Sequence, residues 1–312
     1  GRRRFLRASL AASCAVAAAK PSLAAWFPPT PSQPAGPFYA PLRPLSIDND
    51  LLYLPDSKIR ADGDMVHVAG RVRDQSGKAI AGARVEICIG DITDRDKMIE
   101  MREQALSTFG QIDILVNNVG AGPKSAIEPD AHELGPSQAI WDALYRQNLL
   151  PVVLMSEAVI PHMKANRRGK IVHISSIAGK VPFSDKMLEY FVHHSYGAMK
   201  AALISFTQTQ SELLGPFNIN VNSVCPGVIY TDSWKQNSER AVTMIDEFKG
   251  QDPREWFEGI ARGDYPHIFD RTPLRREQTV EDIGRAVVFL TSDHSVNITG
   301  QSLMVDGGMV KV

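Results

Sequence analysis

The sequence predicts an α/β protein in which a doubly wound parallel sheet follows a stretch of coil and a β-hairpin. Three observations predict this fold. Residues 26–63 are rich in proline, residues 64–89 alternate between apolar and polar, and short apolar runs alternate with helical patterns from about residue 90. Proline fixes φ and lacks an N–H, so the first segment is predicted to be extended coil. Strict alternation is typical of strands with one buried face.

The hairpin and the first helix follow in chain order. Val66, Val68 and Val72 share one face of the hairpin, and the returning strand is predicted to bury Ala83, Val85, Ile87 and Ile89. Apolar residues then recur at helical spacing at Met98, Met101, Ala105 and Phe109. We expect Thr93 or Asp94 to cap that helix and Gly110 to end it.

Strands and helices alternate over the rest of the chain. The run from Ile112 to Val116 predicts a strand buried on both faces. Further strands are predicted at residues 171–174, 219–222 and 303–305, and helices near 138–166, 196–214 and 280–291. Repeated strand–helix units imply a parallel, doubly wound sheet.

The composition of the 312 residues is that of a globular protein with one large domain or two smaller ones. Apolar residues make up 44% of the chain, which argues against a disordered protein. The net charge of −1 gives no indication of a nucleic-acid partner. No apolar run reaches the ~20 residues that span a bilayer, so no membrane span is predicted. Three cysteines are too few for a disulfide scaffold or a structural zinc site.

Residues 1–25 predict an export signal. A basic start at Arg2-Arg3-Arg4 is followed by an apolar stretch over residues 8–19 and by a small-residue cleavage site at Ser22-Leu23-Ala24. The paired arginines before Phe5-Leu6 resemble a twin-arginine signal. The alternative is the basic helical start of a cytosolic protein. We therefore expect a periplasmic or exported protein if the signal is used, and a cytoplasmic protein otherwise.

A series of short motifs follows from residue 90 to the end of the chain. They are Gly90-Asp91-Ile92-Thr93-Asp94, Asn117-Asn118-Val119-Gly120, Asn148, Ile174-Ser175-Ser176-Ile177-Ala178-Gly179, Tyr196-Gly197-Ala198-Met199-Lys200, Pro226-Gly227-Val228 with Thr231, and Val305-Asp306-Gly307-Gly308. In this order they resemble the short-chain dehydrogenase/reductase family without its first strand, glycine-rich turn and helix. The resemblance implies an incomplete Rossmann-like sheet and an oxidoreductase that interconverts a small-molecule alcohol and a carbonyl with NAD or NADP. It also implies a homodimer or homotetramer.

The resemblance implies a catalytic set of four residues. Tyr196 would exchange a proton with the substrate, and Lys200, four residues later on the same helix face, would also bind the nicotinamide ribose. Ser176 would hold the reacting oxygen, in competition with Ser175, and Asn148 would complete a proton relay. Because a phenol has a reference pKa near 10, a cation one turn away is expected to lower it.

The resemblance also implies a cofactor site. Asp91 and Ile92 would lie at the adenine, and Asn117 and Gly120 near the adenosine ribose. The nicotinamide would be met by Tyr196, Lys200, Pro226, Gly227, Val228 and Thr231.

Two segments near the site are unusually long for this family. The gap between Ser176 and Tyr196 predicts a longer loop, in which His193 and His194 are expected to be solvated. The lid region 232–272 is rich in aromatic residues, which predicts either a bulky substrate or simple packing.

Residues 30–88 resemble the start of an intradiol ring-cleavage dioxygenase. The resemblance depends on Thr30-Pro31-Ser32-Gln33, Gly36-Pro37-Phe38-Tyr39, Asn49-Asp50-Leu51 and the stretch from Gly70 to Ile87. That family binds iron through tyrosine and histidine, but Tyr39, Tyr53 and His67 do not match its ligands, so no metal ligand is assigned. The predicted domains are the signal 1–25, the dioxygenase-like fragment 26–89 and the dehydrogenase domain 90–312.

A glycine-rich phosphate turn is not found before Asp91. Gly63, Gly70, Gly77 and Gly82 lack the spacing that such a turn requires. We therefore expect weak dinucleotide binding, and a catalytically inactive fusion product or binding protein is the alternative to an active enzyme. An iron-dependent dioxygenase is a further alternative that lacks its ligands. Cys88-Ile89-Gly90 is expected to form the third strand of the family's sheet.

Overall fold

A computed structural model of the protein describes residues 83–120, 138–182, 184–268 and 273–311. The predicted signal, the proline-rich coil and most of the dioxygenase-like segment lie outside the described residues. The chain divides into two units between Val85 and Glu86, and the fold given below is that of the unit Glu86–Val312.

Helices and strands alternate through this unit. The strands are β1 (Ile114–Asn117), β2 (Gly169–Ile174), β3 (Ile219–Pro226) and β4 (Ser302–Val305). The helices are α1 (Arg95–Phe109), α2 (Gln138–Asn148), α3 (Leu150–Asn166), α4 (Asp185–Tyr190), α5 (His194–Leu214), α6 (Asp232–Met244), α7 (Pro253–Arg262) and α8 (Val280–Thr291). All neighbouring strands are parallel, in the order β1–β2–β3–β4. The predicted α/β fold with a parallel sheet is confirmed.

Apolar side chains cover both faces of the central strands. On one face, Ile171 of β2 and Val221 of β3 pack with Met163 of α3 and Leu214 of α5. On the other face, Val172 and Val224 pack with residues of α8. Successive strand residues therefore bury opposite faces of the sheet, as expected for parallel strands that are covered on both sides.

The ends of α1 follow from local chemistry. The Asp94 carboxylate accepts hydrogen bonds from the backbone N–H groups of Asp96 and Lys97, which satisfies donors that the first helical turn leaves free. Gly110 ends the helix at φ 78°, a left-handed conformation that suits glycine. Thr93 is not the cap, because its N–H and hydroxyl both donate to Asp91.

Two predictions of buried strand faces are wrong. Ile114 and Val116 of β1 are 48% and 41% exposed, because β1 is the outer strand among those described and one of its faces is uncovered. Residues 83–90 form no strand, so Cys88-Ile89-Gly90 does not extend the described sheet. Val85, Ile87 and Ile89 are exposed rather than buried. Alternation of apolar and polar residues is typical of a strand, but the apolar face is buried only where another strand or helix packs against it.

None of the helices in the described part of the chain is both long and apolar enough to cross a membrane.

Candidate active site

The predicted site residues come after the carboxyl ends of the strands. Because β1 to β4 are parallel, these ends meet at one edge of the sheet, which is where open α/β sheets bind their ligands. Gly120 follows β1, Ser175 and Ser176 follow β2, and Gly227 follows β3. Helix α5 passes this edge and carries Tyr196 and Lys200 in its first two turns.

Lys200 is a buried cation at this edge, with 2% of its surface exposed. Its Nζ donates to the carbonyl oxygen of Ile174 at 3.1 Å and to that of Val119 at 3.4 Å. Burial lowers its pKa to about 8, since a charged group loses solvation in the interior. Lys200 therefore joins the ends of β1 and β2 and remains mainly protonated at neutral pH.

Tyr196 lies one turn before Lys200, with its ring centroid 5.7 Å from the lysine Nζ. Burial raises the pKa of Tyr196, and a hydrogen bond with the Ser176 side chain opposes that effect. The expectation that Lys200 lowers this pKa below its usual value is therefore wrong, because desolvation outweighs the favourable contacts. The phenol keeps its proton at neutral pH and is suited to donate it.

The structure separates the roles of the two neighbouring serines. The Ser175 hydroxyl is buried and donates to the carbonyl oxygen of Lys200 at 2.8 Å, which fixes α5 against the end of β2. The Ser176 hydroxyl accepts from the N–H of Ala178 at 3.1 Å and also hydrogen-bonds Tyr196. Ser176 is thus the serine that the fold brings to the phenol.

Asn148 and Gly120 complete the cluster. Asn148 is the last residue of α2, is fully buried, and donates through Nδ2 to the carbonyl oxygen of Leu144 at 3.1 Å. A Cβ on Gly120 would lie 2.3 Å from Asn148 Oδ1 and 3.1 Å from Lys200 Nζ. Glycine at this position therefore allows the chain after β1 to pass against both side chains. The four predicted catalytic residues come together.

The predicted adenine-side residues do not join that cluster. Asp91 is exposed, and its carboxylate accepts from Thr93 N at 2.7 Å and from Thr93 Oγ1 at 2.8 Å, hydrogen bonds that lower its pKa. The side chain of its neighbour Ile92 is also exposed. Both residues precede α1 and β1 in the sequence.

Asn117 is engaged in a buried network inside the sheet. Its Nδ2 donates to Ser156 Oγ at 3.3 Å and to His173 Nδ1 at 3.1 Å. His173 Nε2 in turn donates to Gln210 Oε1 at 3.0 Å, and burial lowers the histidine pKa to about 4. The side chain of Asn117 thus links β1 to β2 and α3, and His173 extends the network to α5.

The turn after β3 is held by Gln278, a residue that the sequence did not single out. The N–H of Gly227 donates to Val305 O at 3.1 Å and to Gln278 Oε1 at 3.2 Å. A Cβ on Gly227 would lie 2.6 Å from the Gln278 amide and 3.0 Å from Asp306 Cα, so a larger residue there would displace Gln278. Pro226 ends β3, and Thr231 is exposed, with its hydroxyl not used to cap α6.

The aromatic residues of the lid pack into a core of their own. Phe248, Trp256 and Phe257 are buried together with Val228. Phe191, from the longer loop before Tyr196, joins them with its ring centroid 5.6 Å from that of Trp256. This favours the packing interpretation of these aromatic residues. Phe269 lies outside the described residues.

The longer loop is also less solvated than expected. His193 is 5% exposed, so the prediction of a solvated histidine is wrong for this residue. Its side chain caps α5, which explains its burial.

The cluster fits the nicotinamide half of a dinucleotide. Lys200 presents a buried ammonium whose described partners are only two carbonyls, and Tyr196 presents a proton-bearing phenol beside it. Gly120 and Gly227 keep the backbone of the surrounding turns free of side chains. The start of α1, in contrast, does not suit a pyrophosphate, because Asp94 and Asp96 place carboxylates there.

Comparisons with known proteins extend over most of the chain. A family model described as enoyl-(acyl carrier protein) reductase matches residues 60–310, so it overlaps the segment 60–88 that resembles a dioxygenase. The 3-oxoacyl-(acyl-carrier-protein) reductase of Thermotoga maritima is 32% identical over 227 residues, which are 73% of this chain and 78% of the relative. The (S)-acetoin-forming diacetyl reductase of Staphylococcus epidermidis is 32% identical over 221 residues, 70% of this chain and 77% of the relative.

A solved structure shows the same fold. The L-sorbose reductase from Gluconobacter frateurii, complexed with NADPH and L-sorbose, superimposes with a TM-score of 0.60 at 26% identity. The match covers 74% of this chain and 79% of that one.

Proposed function

This chain belongs to the short-chain dehydrogenase/reductase family, and on that premise we propose that it is an oxidoreductase that interconverts an alcohol and a carbonyl with NAD or NADP. One observation carries the proposal. A half-buried, proton-bearing Tyr196 is hydrogen-bonded to Ser176 and lies one turn from the buried ammonium of Lys200.

The residues of the chain handle the proton and the developing charge. The bound nicotinamide supplies or accepts the hydride. In the direction of carbonyl reduction, the Tyr196 hydroxyl donates its proton to the substrate oxygen, and the Ser176 hydroxyl hydrogen-bonds the same oxygen. The ammonium of Lys200 stabilises the negative charge left on the phenolate. Because burial raises the pKa of Tyr196, the phenol holds at neutral pH the proton that carbonyl reduction requires.

We propose that Asn148 serves the proton relay that the family resemblance implies. It is buried beside Gly120, which also adjoins Lys200. We propose small carbonyl compounds as the first substrates to test, such as the diacetyl named for one relative.

The test is the oxidation of NADPH or NADH in the presence of diacetyl, followed by absorbance. Tyr196→Phe removes only the hydroxyl and should lower kcat/KM by about 10²- to 10⁴-fold, the range of general acid catalysis. Tyr265→Phe, which removes the hydroxyl that donates to Gln251 at 3.0 Å in the lid, is the matched control and should retain turnover. Turnover that survives Tyr196→Phe contradicts the proposal.

A catalytically inactive binding protein remains the second candidate. It is favoured by one sequence observation, namely that the glycines from Gly63 to Gly82 lack the spacing of a phosphate turn. If no other segment supplies backbone N–H groups to the pyrophosphate, titration calorimetry of the full chain should show binding no tighter than about millimolar. Micromolar binding would remove this candidate.

We also propose the organisation that the sequence predicts, with an export signal over residues 1–25, a dioxygenase-like segment over 26–89 and a homodimer or homotetramer. Mass spectrometry of the mature N-terminus in the periplasmic fraction tests the signal. Light scattering tests the assembly.

A further inference from the structure

His173 is a fully buried histidine in β2, and both of its ring nitrogens are hydrogen-bonded. Asn117 lies opposite it in the register of β1 and β2, and the Asn117 Nδ2 is 3.1 Å from the ring Nδ1. On the other side of the ring, Gln210 Oε1 of α5 is 3.0 Å from Nε2. One side chain of β2 therefore connects the strand β1 and the helix α5.

The two partners fix the direction of both hydrogen bonds. An amide nitrogen can only donate and an amide oxygen can only accept, so Nδ1 carries no proton and Nε2 carries one. Burial lowers the pKa of His173 to about 4, which keeps the ring in this neutral form. The described groups that face the ring are the two amides and Phe206, which stacks on it at 5.8 Å between centroids, and none of them carries a charge. The network therefore keeps one protonation state at neutral and alkaline pH.

The same three elements meet a second time at Lys200. Its Nζ donates to the carbonyl oxygen of Ile174 at 3.1 Å, in the residue that follows His173. It also donates to the carbonyl oxygen of Val119 at 3.4 Å, two residues beyond Asn117. A buried ammonium has lost its hydration, so these two oxygens supply part of the stabilisation that water would otherwise give.

The carbonyl of Val119 has less support from the sheet than that of Ile174. Ile174 belongs to β2 and pairs with β3, whereas Val119 lies beyond the last residue of β1. Among the described strands β1 has a neighbour on one side only, and Ile114 and Val116 leave one of its faces exposed. The buried side chain of Asn117, the last residue of β1, is therefore a main restraint on the position of this carbonyl.

We propose that His173 is a positioning residue for Lys200. By accepting the Asn117 amide it fixes the end of β1, and with it the Val119 carbonyl that binds the ammonium. The inference rests on the proposed function, in which the charged form of Lys200 stabilises the phenolate. Losing the hydrogen bond to Val119 disfavours that charged form, so a substitution that releases the end of β1 should lower the pKa of Lys200 further.

A change in the pKa of Lys200 would report the position of the carbonyls. The described titratable side chains that face Lys200 are Tyr196 on the same helix and Cys225 of β3. The groups that β1, β2 and α2 bring to its Nζ are carbonyl and amide oxygens, which carry no charge. The turn 177–179, which also packs on this helix, holds no titratable residue. A substitution at His173 therefore alters no charged group beside Lys200.

Three substitutions separate the two hydrogen bonds of the His173 ring. His173→Gln extends an amide towards Gln210 but leaves no acceptor at the position of Nδ1. His173→Asn keeps an amide oxygen near that position and loses the contact with Gln210. Gln210→Met is the matched control, because it removes the same contact and leaves the pair with Asn117 in place. Each variant breaks a buried hydrogen bond and should lower the unfolding temperature.

The first readout is the pKa of Lys200 itself, measured without cofactor or substrate. In protein labelled with ¹³Cε-lysine, the signal that is missing in Lys200→Met should titrate at about pH 8 in the wild type. In His173→Gln it should titrate about one pH unit lower, the effect of one lost hydrogen bond to a charged group. In His173→Asn and Gln210→Met it should stay in place. Asn117→Ala removes the other half of the pair and should repeat the shift, which provides the test if His173→Gln does not fold.

The second readout is the pH dependence of kcat/KM for diacetyl. The alkaline decline, expected at about pH 8 in the wild type, should begin about one pH unit lower in His173→Gln and should not move in His173→Asn or Gln210→Met. A merely structural role would lower the unfolding temperature without moving this decline. If the wild-type protein shows no turnover, the proposed function fails, whereas the titration of the labelled lysine still decides on His173.

Two results of the titration overturn the inference. One is a Lys200 pKa that is unchanged in both His173→Gln and Asn117→Ala. The other is an equal shift in His173→Gln, His173→Asn and Gln210→Met, since the ring would then support the core in general rather than the end of β1.

Discussion

Replacing Lys200 with methionine is expected to change stability in opposite directions at neutral and alkaline pH, while turnover is lost at both. Methionine has a similar length and no charge, so it fills the same buried volume without an ammonium. The wild-type lysine has a folded-state pKa of about 8, against 10.5 for an ordinary lysine, because burial disfavours its charged form. The unfolded chain therefore binds more protons than the folded chain at any pH between these two values, and stability rises with pH there.

The magnitude follows from that difference in pKa. At about pH 7 the cost of keeping the buried ammonium charged is about 3 kcal/mol, and at about pH 9.5 it has fallen to about 1 kcal/mol. The hydrogen bonds from Nζ to Ile174 and Val119 are lost in Lys200→Met at either pH, at about 1 kcal/mol each. The variant should therefore be about 1 kcal/mol more stable than wild type at about pH 7 and about 1 kcal/mol less stable at about pH 9.5.

Urea unfolding followed by tryptophan fluorescence measures this crossover, with the wild type and the variant compared at both pH values. Lys235→Met, which replaces a lysine at an exposed position of α6, is the control. In parallel, the activity of the wild type should decline as pH rises through about 8, because the charged form of Lys200 is lost. A stability difference between Lys200→Met and wild type that is the same at both pH values would refute the buried-charge reasoning.

Two further predictions concern the walls of the site. Gly120→Ala should lower both turnover and the unfolding temperature, because φ is 111° at this position and the new Cβ would lie 2.3 Å from Asn148 Oδ1. Gly215→Ala is the control and should lower neither, because the space around its Cβ is open. Ser176→Ala should reduce kcat about 10²-fold. Ser175→Ala should cost about 1 kcal/mol of stability through the lost hydrogen bond to α5 and should largely retain kcat. Equal kinetic losses in the two serine variants would contradict this division of roles.

Local signals in the sequence were sufficient for most helix and strand positions. Asp94 caps the start of α1 with its side chain, and Gly110 ends the helix in a left-handed conformation. Both effects involve residues only a few positions apart in the sequence. The apolar pair Ile171-Val172 in β2 is typical of a parallel strand, which is buried on both sides whichever helices cover it. The four-residue spacing of Tyr196 and Lys200 likewise predicts that they share one helix face.

Burial and hydrogen bonds that depend on residues far away in the sequence could not be predicted from local patterns. Alternation at Ile87 and Ile89 resembles that of a strand, yet no described strand pairs with them, and both side chains are exposed. The position of Asn117 in a motif suggested a cofactor contact, but its Nδ2 is occupied by His173, a residue 56 positions later. A histidine in the middle of an apolar strand does imply some buried polar partner, and that is the signal by which this network could have been anticipated.

Lys200 makes this site reactive and also weakens the fold at neutral pH. It keeps a charge buried, although an apolar side chain could take its place in the helix that carries it. Ser175 shows the opposite choice, since its buried hydroxyl holds α5. If selection acted on stability alone, Lys200 would be among the first residues to change. We therefore expect a screen for thermally stabilised variants at neutral pH to recover substitutions at Lys200, and assays of those variants for diacetyl reduction should find turnover abolished.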